Sequence, residues 1–215
     1  VQINALASDD LKALTTTQVR ALTSDQLSKL SSDQIALMAT DDIAALGTGQ
    51  ISHLSTAAIA ALTTAQAKAL TTASINALTS AQVTAIETAD LAAMSTAQLS
   101  KLGTAQVAQL TSVQVAALTS GQVKSLNSDQ VAALTSAQLN ALTSSQLPSL
   151  STAQVRALTT DQLSKLTTTQ IVGLSTAQVA ALSTGQVASL TSVQINALAS
   201  DDLKALTTTQ VRALT

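Results

Sequence analysis

The chain has 215 residues, 46% of them hydrophobic, but no Phe, Tyr, Trp or Cys, so any core must be built from Leu, Val, Ile and Ala. The missing cysteines exclude a disulfide framework and a thiolate metal site. Ten basic and twelve acidic residues leave a net charge of −2, too balanced for the footprint of a nucleic-acid or anionic-membrane binder, and no apolar run approaches the roughly 18 to 20 residues that span a bilayer.

From its first residues the chain is periodic. The pattern Thr-[Ser/Thr]-x-Gln-[Val/Ile/Leu]-x-x-Leu recurs every eight residues with no insertion or deletion, and a fixed short period marks a repeat architecture. With the pattern numbered one to eight, position eight runs Leu6, Leu14, Leu22, Leu30 and on to Leu214, replaced only by Met38, Ile86 and Met94. Position five is Val, Ile or Leu except at Ala67, and position two is Ser or Thr in every complete copy. Val1-Gln2-Ile3-Asn4 are already in register, so a signal peptide is expected to lie outside this segment. A second level sits above the octad, because residues 1–23 are identical to 193–215, an offset of 192 residues or twenty-four octads. The sequence thus predicts one continuous array over 1–215.

A straight helix is a poor host for this pattern, since an apolar period of eight over two turns departs from 3.6 residues per turn. A strand would send positions five and eight to opposite faces, which leaves a β-solenoid as the alternative. Short helices fit better. In the octad at 15–22, Leu14-Thr15-Thr16-Thr17-Gln18-Val19 combines a Thr cap, a Gln three residues on for a capping box, and a Leu/Val hydrophobic staple. The next octad repeats it with Thr23, Ser24, Gln26 and Leu27, and the one after adds Ile35. Leu14, Val19, Leu22, Leu27, Leu30 and Ile35 are therefore the expected core of the first copies. Thr15, Thr16, Gln18, Thr23, Ser24 and Gln26 are the expected capping set, with positions one and two both eligible as the cap. Where Asp replaces Gln at position four (Asp10, Asp42, Asp90, Asp202), position one is Ala or Glu, which suggests a position-two cap in those copies.

The charges carry the same polarity. All twelve acids fall at positions one, three or four and all ten bases at positions six or seven, matching the positive start and negative finish of a helix. One octad is too small to be stable alone, so the array is expected to be all-α, a tight superhelical α-solenoid of capped helices of five or six residues, one per octad, stabilised by stacking. Further along, Met38 and Met94 are core replacements. Pro148, at position six, deletes a backbone donor and is expected to kink its helix or turn it into a 3₁₀ segment.

The run Leu-Thr-x-x-Gln-Val-x-Ala-Leu, carried by the whole chain, resembles octapeptide repeat regions of very large bacterial secreted or cell-surface proteins, some of them adhesin-like. That resemblance implies an extracellular or surface location and a stalk or filament role, and brings no catalytic residues with it. The residues themselves point away from an enzyme. The lone His53 has no second His or Cys to share a metal ion. The acid pairs Asp9-Asp10, Asp41-Asp42 and Asp201-Asp202 lack a Gly-containing calcium loop and read as helix-start stabilisation. No cofactor is expected, and the expected partner is the chain's own kind, through neighbouring repeats or filament assembly. The competing reading is a binding module that offers rows of Ser and Thr to an extended ligand such as ice, a polysaccharide or a protein.

Overall fold

A computed structural model of the chain describes residues 3 and 6–214, apart from the side chains of Ser8 and Asp9. The register of Val1, Gln2 and Asn4 and the pairing of Asp9 lie outside the described residues. Within them the chain forms twenty-five α-helices of four to six residues, from Ser8–Lys12 to Thr208–Arg212, plus a 3₁₀ helix at Leu147–Ser149, one helix per octad and no strand. The fold is an all-helical solenoid, and the β-solenoid alternative has no support.

The bend between helices explains the scarcity of glycine. Helices commonly end on a left-handed Gly, yet no described residue, glycine or other, has positive φ. Instead the helix tightens at its end, as where Met38 N–H donates to Ile35 O at 3.2 Å. Two extended residues then turn the chain: Met38 at φ −63°, ψ 147° and Ala39 at φ −65°, ψ 151°. Leu and Thr adopt this region freely, so the Leu-Thr junction bends the backbone at no conformational cost.

The described residues fall into two compact units, Val1–Leu110 and Thr111–Thr215. In the first, Thr16–Arg20 packs on Thr40–Ala45 and Ser32–Leu37 on Thr56–Ala60, three octads along. Side-chain hydrogen bonds reach four octads along, as from Gln66 to Ile35. A turn of the coil therefore holds between three and four octads. The second unit repeats this, with Ser128–Ala133 on Thr152–Ala157 and Thr176–Ala180 on Ser200–Ala205.

Positions five and eight fill the interior of each coil. Ile35, Ile43 and Ile51 in the first unit and Val131, Leu139 and Val155 in the second are buried, as are Leu30, Leu134 and the replacements Met38 and Met94. Val19 and Leu27 are buried, but Leu14 and Leu22 are only half-buried. They lie in the first described turn of the coil, where a neighbouring turn is described on one side. Pro148 sits inside the 3₁₀ helix.

Candidate functional site

The repeated polar feature of the chain begins at position one. Thr15 is extended, its Oγ1 accepts from Gln18 N–H at 3.4 Å, and Gln18 Oε1 accepts from Thr15 N–H at 2.8 Å. Thr23 and Gln26 make the same pair at 3.3 and 2.8 Å. Each pair closes a capping box, satisfying two donors that a helix start leaves open. Position one is thus the cap. Thr16 and Ser24, also eligible from the sequence, are instead the first residues inside their helices.

Position two faces the next turn. Ser32 Oγ donates to Ala57 O at 3.2 Å and Ser120 Oγ to Ser145 O at 3.2 Å. The octads with Asp at position four correct the sequence reading. Ala39, Glu87 and Ala199 start their helices with no side-chain cap, so position two does not take over. Asp90 and Asp202 instead accept from Thr64 and Thr176 of the turn before, at 2.6 and 2.8 Å. Asp42 is 3% exposed; burial raises its pKa above the usual carboxylate value, against a lowering hydrogen bond from Ala39 and with a further push from Asp41.

The far end of the glutamine does a second job. While Oε1 closes the box of its own helix, Nε2 crosses to the turn below and donates to carbonyls at the end of a helix four octads earlier. Gln66 Nε2 meets Ile35 O and Met38 O, both at 2.8 Å. Gln186 Nε2 meets Val155 O, Arg156 O and Leu158 O at 2.9, 3.2 and 2.7 Å. These are among the carbonyls that a helix leaves unsatisfied at its C-terminus. One buried amide therefore caps the start of one helix and the finish of another. Gln66 and Gln130 are each 1% exposed, a burial that an amide tolerates only when both its ends are paired.

This second role was missed in the sequence, although a signal for it exists. A capping box accepts Glu as readily as Gln, yet position four is Gln in twenty of the twenty-six complete octads and never Glu. A carboxylate closes the box but cannot donate to the turn below.

Seven segments, 3–40, 35–72, 83–120, 115–144, 136–168, 143–176 and 163–192, match the model of the ALTTAQ repeat. The chain belongs to the ALTTAQ repeat family. No curated protein matches it. For an ALTTAQ array the geometry above assigns a physical role to most of the repeat: Leu packs, Thr caps, and Gln joins adjacent turns.

No group of three or more His, Cys, Asp or Glu able to hold a metal ion occurs among the described residues. No described helix is long and apolar enough to cross a membrane. His53 is exposed. In the second unit a depression of about 210 Å³ lies beside the 3₁₀ helix, lined by Leu142, Leu147, Pro148, Gln170 and Gly173 among others.

Proposed function

We propose that the chain is a structural array, an extended superhelical spacer or fibre-forming segment of a bacterial extracellular or surface protein. The observation that carries this reading is the glutamine clip. Most octads receive amide donors from one turn and offer their own to another, so the unit is complete only when repeated and is extendable by more of the same. The offset of 192 residues between identical stretches fits such lengthening, within one long polypeptide or between subunits. The extracellular placement follows the resemblance of the octad run to repeat regions of bacterial surface proteins. Catalysis has no part in the proposal, since near-identical repeats offer no distinct acid, base and nucleophile in one cleft.

The runner-up, a regular Ser/Thr face for an ice or polysaccharide lattice, loses support from the coil. With between three and four octads per turn, equivalent hydroxyls in successive turns are staggered, and the position-one oxygens are already engaged as caps. Small-angle X-ray scattering on the isolated chain tests the spacer. A globule of this length has a radius of gyration near 17 Å; a value well above that is expected, and one at 17 Å would overturn the reading.

A further inference from the structure

The six complete octads without Gln at position four are not evenly distributed. Asp42, Ala58, Ser74 and Asp90 occupy every second octad of one stretch, alternating with Gln50, Gln66 and Gln82. The glutamines clip the turn below: Gln50 Nε2 to Leu22 O at 2.8 Å and Gln82 Nε2 to Leu54 O at 2.7 Å. The equivalent carbonyls for the other four octads belong to Leu14, Leu30, Leu46 and Leu62. No amide is there to reach them. Ala58 has no polar group, Ser74 Oγ is paired with Thr71 Oγ1 at 2.8 Å, and Asp90 accepts from Thr64. In the second unit, by contrast, Gln146, Gln154, Gln162, Gln170, Gln178, Gln186 and Gln194 clip the turn below in seven successive octads.

We propose that residues 39–94 form a yielding segment, where turns of the coil part locally before those held by Gln146–Gln194, and that a spacer under tension lengthens there first. Positions five and eight are apolar in both stretches, with Ala67 the one small side chain among them, so the main difference lies in the clips. Halving them removes hydrogen bonds that join one turn to the next while every octad of the stretch keeps its helix, although Ala39 and Glu87 start theirs without a side-chain cap; this lowers the cost of local opening without disordering the octad. The lengthening under tension rests on the spacer reading; the local opening does not.

Amide hydrogen exchange on the full chain tests this. Residues 39–94 are expected to exchange faster than 143–198, and Ala58→Gln with Ser74→Gln to slow the first stretch roughly three- to tenfold while leaving the second unchanged. If added glutamines disturb the packing, the converse pair decides: Gln162→Ala with Gln178→Ala should speed exchange in the second unit. Equal protection of the two stretches, or no response to the converse pair, would overturn the proposal. In an optical trap, a low-force lengthening step should move to higher force in the Ala58→Gln, Ser74→Gln chain, and absence of any such step would overturn the mechanical half. A compact scattering profile would remove the spacer and leave the exchange result standing, whereas uniform exchange would remove the yielding segment and leave the spacer.

Discussion

The two adjacent hydroxyl residues that most octads carry have different jobs, and single substitutions should separate them. Thr79 Oγ1 accepts from Gln82 N–H at 3.2 Å, and Gln82 Oε1 accepts from Thr79 N–H at 2.8 Å. Thr79→Ala is therefore expected to cost about 1 kcal/mol in urea denaturation, and Ser80→Ala much less, since Ser80 is the first residue of its helix rather than the cap. Asp42 offers a pH test. Burial raises its pKa, so the folded chain binds a proton there more readily than the unfolded one. Its contribution to stability is fully present below the unfolded carboxylate pKa and is lost as pH rises through the folded value. Asp42→Asn is expected to melt above the parent chain at neutral pH, with the gap closing on acidification. Ion pairs matter less, for Lys165–Asp161 and Lys204–Asp201, at 2.9 and 3.0 Å, are exposed and such pairs contribute little.

At the scale of the helix, the capped start was readable in the sequence because its parts are neighbours: Thr15 and Gln18 lie three residues apart, and charge polarity reports the same direction. The finish was not, because its partner lies 28 to 31 residues away and the number of octads per turn cannot be read from the period alone. The half-burial of Leu14 and Leu22 escaped prediction for the same reason. Gln66→Ala deletes half of one capping box and the donors to Ile35 and Met38, and is expected to cost about 2–4 kcal/mol. Gln66→Glu keeps the box but turns a carboxylate toward carbonyl oxygens. It should be at least as destabilising at neutral pH and recover on acidification, when a protonated carboxyl can donate; thermal melts from pH 7 to pH 4 check both. The Pro148 helix shows how local the consequences of one residue are. It becomes 3₁₀, yet Gln178 Nε2 still finds Pro148 O at 3.2 Å and Leu150 O at 2.7 Å.

For the whole molecule, near-identical units that pack on those three octads away and are clipped to those four octads away make stability a sum over octads and interfaces. Composition excluded much but could not say whether the array is extended, and repetition of the clip is what supports the proposed spacer. Scattering on two lengths measures this most directly: the chain of 215 residues and one lengthened by a further 192-residue unit. An extending array should nearly double its radius of gyration. Growth of only about 1.3-fold, as compact globules of these lengths show, would contradict the account.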